Sequence, residues 1–134
     1  MKAIALWQPW ATLMACGLKK NETRHWATSY RGPLLIHATK RMESPTMLMR
    51  DLLRQFGYQS LNDFPRGALV CRVNIIDCVP TASYVASYPE YQFGDYSINR
   101  FVWATDNLQA FKPIPYKGSQ GFFNVPDHII KQVN

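Results

Sequence analysis

The sequence predicts an α+β fold, a small mixed β-barrel with flanking helices. Short strand-type runs dominate it, at residues 1–7, 34–38, 67–79, 101–111 and 122–125. Two amphipathic helical stretches, 9–16 and 45–56, interrupt these runs without alternating with them, which argues against a parallel sheet. With 134 residues, 47% of them hydrophobic, and no repeat or linker, the chain is expected to form one domain over 1–134 with its own core.

Each element carries its own local signals. Residues 1–7 read as a strand, and Pro9 then takes the first helical position, where its missing N–H is not needed. Trp10, Leu13 and Met14 come next at helical spacing, and Gly17 is the expected C-cap. A charged strand comes after it, then a turn at Arg31-Gly32-Pro33 and a buried strand over 34–38. Ser44 as N-cap with Pro45 first inside starts the second helix, whose apolar face is Leu48, Met49, Leu52, Leu53 and Phe56. Residues 67–79 form the longest strand, with a bulge expected at Ile75-Ile76. Residues 80–100, with four tyrosines, suggest a long aromatic loop, mobile or packed over something. A hairpin is expected around Asp106-Asn107, and Pro113 and Pro115 restrict the chain beyond it to an edge or a loop. Lys117-Gly118-Ser119-Gln120-Gly121 is a glycine-bearing turn, 122–125 a last strand, and 126–133 one or two helical turns.

Between Gly17 and His37 lies a dense set of charges and rings: Lys19, Lys20, Glu22, Arg24, His25, Trp26, Tyr30 and Arg31. In an extended chain Glu22, Arg24 and Trp26 project together, with Thr23 and His25 opposite. A carboxylate among cations holds the guanidinium in position and leaves other donors free for a ligand. The alternative is a solvated, salt-bridged strand. His37 interrupts an apolar run close to Thr39, Lys40 and Arg41, so it is either a hydrogen-bonded core residue or part of a site.

Charge sharpens the picture. Residues 1–66 hold ten Lys and Arg against four acids, and residues 67–134 hold five against five, so the net +6 sits in the first half. A one-sided basic surface attracts polyanions, nucleic acid among them, although solubility alone also explains such a surface. No apolar run approaches the ~20 residues of a membrane span. No signal-peptide pattern is present, so no membrane partner is expected. Cys16, Cys71 and Cys78 are an odd set without close pairing, which suits free thiols in a reducing cytoplasm. His25, His37 and His128 lack ligand-type spacing, so no metal and no cofactor is expected.

The chain resembles an ASCH domain, a branch of the PUA-like superfamily, over nearly its whole length. Three features carry the resemblance: Gln8-Pro9-Trp10-Ala11; Gly17, Lys19, Glu22 and Arg24 in the pattern G-x-K-x-x-E-x-R; and Tyr30-Arg31-Gly32-Pro33 running into Ile36-His37-Ala38. Gly67-Ala68-Leu69-Val70, Phe93-Gly94-Asp95 and Lys117-Gly118 agree with it. The resemblance implies a PUA-like barrel with a cleft lined by the motif's lysine, glutamate and arginine, and members are thought to bind RNA or modified nucleosides. One branch looks like amidohydrolases acting on acylated cytidine through a lysine, a threonine and a distant glutamate. Lys19 falls on that lysine, whereas Glu22 stands at the threonine position and Arg72 at the glutamate position. Another branch is similar to ribonucleases.

Two main readings are open. In a binding module for RNA or a nucleoside, Lys19, Arg24 and Arg31 contact phosphate or base edges, Glu22 orients Arg24 and Trp26 stacks, with His37 and Lys40 beside them. In an amidohydrolase or ribonuclease, Glu22 is the general base and Lys19 stabilises the developing oxyanion. A carboxylate paired with cations is a better orienting group than a base, which favours binding by a monomer or weak dimer. A third reading is a protein-interaction domain using the loop 84–96.

Overall fold

The computed structural model describes residues 1–131. Its strands are β1 (Lys2–Gln8), β2 (Asn21–Arg24), β3 (Gly32–Met42), β4 (Ala68–Pro80), β5 (Phe101–Pro115) and β6 (Phe123–Asn124). Its α-helices are α1 (Trp10–Ala15), α2 (Met47–Arg54) and α3 (Asp127–Ile130). All six strands belong to one sheet in the order β2-β5-β4-β3-β1-β6. β1 and β3 run parallel and the other neighbours antiparallel, giving the mixed α+β architecture expected. No helix among the described residues is long and apolar enough to cross a membrane.

Alternation along the strands sorts the sheet into two faces. Ile4, Leu6, Leu34, Ile36, Ala38, Val73 and Trp103 pack inward with Ala11 and Met14 of α1. Ala3, Leu35, Leu69, Ile114, Val125 and Ile130 form a second cluster on the other face. The sheet is not closed into the expected barrel by backbone hydrogen bonds, since β2 and β6 end the strand order unpaired with each other, and side chains bridge that side instead. Arg24 Nη2 donates to the Ala5 carbonyl of β1 at 2.8 Å. Just beyond β2, Trp26 packs edge-on against Trp103 and Phe122, with centroids 4.7 and 5.4 Å away.

α1 ends as its glycine predicts. Gly17 adopts φ 76°, and the N–H groups of Gly17 and Leu18 donate to the Met14 and Leu13 carbonyls, 3.0 Å each. Leu13, on the far side of α1, packs with Met49 and Leu53 of α2 and with Phe93. Residues 80–100 are therefore anchored at Phe93. Phe93 is wholly buried, and truncating such a ring typically costs about 3–5 kcal/mol. Asn21 donates to the Tyr84 hydroxyl at 2.7 Å, while Tyr88 and Tyr91 stay exposed, so the aromatic loop is divided between holding β2 and facing solvent.

Three expectations need correction. The hairpin at Asp106-Asn107 is instead one continuous strand, because both halves of β5 pair with β4. Asn107, at φ 57°, sits in a shift between the Asn74–Asp106 and Arg72–Gln109 pairs. The second helix starts at Met47, after a Thr46 cap whose side chain accepts from Met49 N at 3.2 Å, which leaves Ser44-Pro45 outside. β3 extends to Met42, past the expected end at residue 38. The bulge expected at Ile75-Ile76 coincides with a β4–β5 register shift between Ile75 and Asp77. Helix α3 covers the start of the expected 126–133 segment, and residues 132–133 lie outside the described residues.

Candidate functional site

β2 carries the motif, and its side chains divide between two depths. Lys19, at the exit of α1, is 2% exposed. Its ammonium donates to the Asn21 carbonyl at 2.6 Å and to the Phe93 carbonyl, and lies 3.4 Å from Glu22 Oε1. Two carbonyls thus accept from the ammonium, and the Glu22 carboxylate balances its charge as an ion pair. Lys19 is a buried tie between β2 and the 80–100 segment, and it does not line the cleft. The Trp10 ring lies across it, with the centroid 5.7 Å from Nζ.

Glu22 sits between this buried lysine and Arg24. Its Oε2 accepts from Arg24 Nε at 2.9 Å, and its Oε1 accepts from the Thr23 N–H at 3.2 Å. With Ala5 holding Nη2, the guanidinium is fixed on two sides. Its Nη1 donors have no partner among the described residues, and Arg24 lines the adjoining cleft. A planar fork held in this way is suited to bidentate recognition of phosphate or a base edge.

The cleft has a volume of about 1020 Å³. One wall is the β1–β3 face, where Ala5 and Trp7 neighbour His37, Thr39, Lys40 and Arg41. Arg24, His25 and Trp26 make the second wall, and the segment 116–121 after β5 makes the third. Arg24, Lys40, Arg41 and Lys117 all line it, and no carboxylate among the described residues does. Walls lined by a single charge sign concentrate anions.

His37, on the first wall, lies against the segment 116–121 of the third and is 3% exposed. Its Nε2 lies 2.6 Å from the Tyr116 carbonyl, which only accepts, so Nε2 carries the proton. Nδ1 is then a buried acceptor without a donor among the described residues. Burial lowers the imidazole pKa from its ordinary 6.5, while the Tyr116 carbonyl opposes that shift. Gly118 lies directly on the ring: a Cβ there would approach Cε1 and Nδ1 to 2.6 Å.

Of the residues singled out by sequence, Arg24, Trp26, His37 and Lys40 come together in the cleft. Lys19 and Glu22 lie behind it. Arg31 lies outside the lining, where it donates to the Thr28 and Tyr30 carbonyls and stands 3.8 Å from Asp77. Trp7, Arg41 and Lys117 line the cleft without having been singled out. The only signals for them were the nearness of Arg41 to His37 in sequence and the Lys117-Gly118 pair.

A model of the ASCH domain family matches residues 4–118. Activating signal cointegrator 1 of Mus musculus and that of Homo sapiens are each 31% identical to the chain over 132 residues, 94% of this chain and 22% of theirs. The chain thus spans about a fifth of the length of the curated relatives it matches. Among solved structures, ASCH from Zymomonas mobilis is similar with a TM-score of 0.59 at 11% identity, covering 98% of this chain and 91% of that one. At that identity the likeness speaks for the fold alone, in line with a PUA-like architecture.

Proposed function

The chain belongs to the ASCH domain family, and on that premise we propose that its cleft binds RNA or a modified nucleoside. The observation that carries this reading is the cleft lining itself: four Lys and Arg side chains, aromatic rings at its edges, and no carboxylate among the described residues. In this reading Arg24 takes a phosphate or a base edge through its open Nη1 end. Lys40, Arg41 and Lys117 hold phosphates as surrounding charge, Trp26 offers a ring edge, and His37 supports the base of the pocket.

Lys19 and Glu22 belong to the scaffold of this site. Both Glu22 oxygens are engaged, and the Lys19 ammonium is buried, bonded to two carbonyls and ion-paired with Glu22. This supports a binding role over hydrolysis with Glu22 as base. A reducing, cytoplasmic setting suits the three free cysteines, and the binding unit is the one-domain chain as a monomer or weak dimer.

The test is anisotropy of a labelled single-stranded RNA at rising salt. Three or four phosphate contacts should give a slope of log K on log salt of roughly −2 to −3. A flat response, or no binding at low salt, rejects the proposal.

A further inference from the structure

β3 does not run straight past Trp7. β1 advances two residues from Leu6 to Gln8 while its partner advances four, from Ala38 to Met42, so β3 bulges by two residues at that point. Thr39 closes the bulge, its Oγ1 accepting from Arg41 N at 3.1 Å. The bulge sets the Arg41 guanidinium over Trp7, 5.4 Å from the ring centroid. Trp7 itself is 42% exposed, between the buried Leu6 and Gln8. It joins none of the described hydrophobic clusters, yet it lines the cationic cleft together with Arg41. Bulges next to binding sites commonly re-aim side chains, and this one aims a cation at an open indole.

We propose that Trp7 and Arg41 form a second subsite that stacks the base next to the one held in the cleft. The ligand is then a single strand of two or more nucleotides, not a free nucleoside. This rests on the nucleic-acid reading above and narrows it. An indole face stacks any base, so the subsite is tolerant of sequence. Arg41 stands over the same ring and supplies charge for the phosphate that joins the two nucleotides, and Lys40 on the bulge adds to it.

The experiment compares a mononucleotide, a dinucleotide and a tetranucleotide, each as RNA and as DNA, by competition against a labelled tetranucleotide at low salt. Wild type should gain roughly 5- to 100-fold in affinity from one nucleotide to two. Trp7→Leu, which keeps apolar bulk without a π face, should gain less than about twofold. Trp7→Phe should keep most of the gain, in RNA and DNA alike. An equal gain in wild type and Trp7→Leu overturns the subsite, and so does a loss confined to RNA. If the wild type binds a mononucleotide as tightly as the tetranucleotide, only this subsite falls. If it binds no nucleotide or strand of any length, the nucleic-acid reading falls with it.

Discussion

Arg24 Nε donates to Glu22 Oε2 at 2.9 Å, and that single bond separates two cations that look alike in sequence. On one side of the carboxylate, Lys19 is buried and tied to two carbonyls; on the other, Arg24 reaches the cleft with donors to spare. Spacing explains the division. Glu22 and Arg24, two apart on β2, share a side, whereas Lys19 precedes the strand at the turn that ends α1 and enters from beneath.

Glu22→Gln should therefore keep the oxygen that orients Arg24 while removing a negative charge from behind the cleft. Chemical denaturation should show a loss of about 1–3 kcal/mol, since Lys19 loses its counter-charge in a buried position. Affinity for single-stranded RNA should stay within about threefold of wild type or tighten. A much larger loss of affinity would sink the holding role. Hydrolysis of RNA or acylated cytidine by the wild type above a buffer blank would reopen the general-base reading.

Lys19→Met should be felt well beyond β2. The substitution strands the Asn21 and Phe93 carbonyls and leaves the Glu22 carboxylate with one cation fewer. Removing one member of a buried pair typically costs about 3–5 kcal/mol. The 80–100 segment should also loosen where Phe93 is held, so limited proteolysis should cut near Val85 and Tyr88, both highly exposed, faster than in wild type. Unchanged stability together with unchanged cleavage would show that the tie is dispensable.

The features legible in the sequence were those that local chemistry decides. Pro9 and Gly17 bracket α1, alternation marks the strands, and the break at Ile75-Ile76 is a real shift in register. Partner choice was not local. Asp106-Asn107 reads as a turn, but β4 is long enough to pair both flanks, so the left-handed Asn107 is absorbed as an irregularity. The depth of Lys19 was hidden for the same reason, because the Phe93 carbonyl that buries it lies 74 residues away. Nothing near Trp7 in sequence shows that β3 bulges opposite it. Arg24, Trp26, His37 and Lys40 of the lining were legible in the sequence, while Trp7, Arg41 and Lys117 depended on tertiary register.

His37 should give stability a dependence on pH. Burial, only partly offset by the Tyr116 carbonyl, puts its folded pKa below the ordinary 6.5. Between the folded and unfolded values the unfolded chain therefore holds more protons. The contribution is complete above about pH 6.5 and falls as pH drops below that value. Melting temperatures from about pH 8 to about pH 5 should decline in wild type, and the decline over the upper part of that window should flatten in His37→Gln. The same slope in both proteins would assign the effect to other groups.

Gly118 should be as constrained as any residue in the cleft wall, because the segment 116–121 reaches His37 only where no side chain intervenes. A Cβ at Gly118 would lie 2.6 Å from both Cε1 and Nδ1 of a ring that is itself held by Tyr116. A shift of either the ring or the chain strains the Nε2 bond to the Tyr116 carbonyl. Gly118→Ala should then cost about 1–3 kcal/mol, as overpacking does. It should also weaken RNA binding by displacing Lys117, which lines the cleft. A double-mutant cycle isolates the cause. In a His37→Ala background the ring is gone, so adding Gly118→Ala should cost little, and the coupling between the two sites should be about 0.5–3 kcal/mol. Additive effects would mean that Gly118→Ala acts through its own backbone and not through the ring, and the close packing of this wall on His37 would lose its functional meaning.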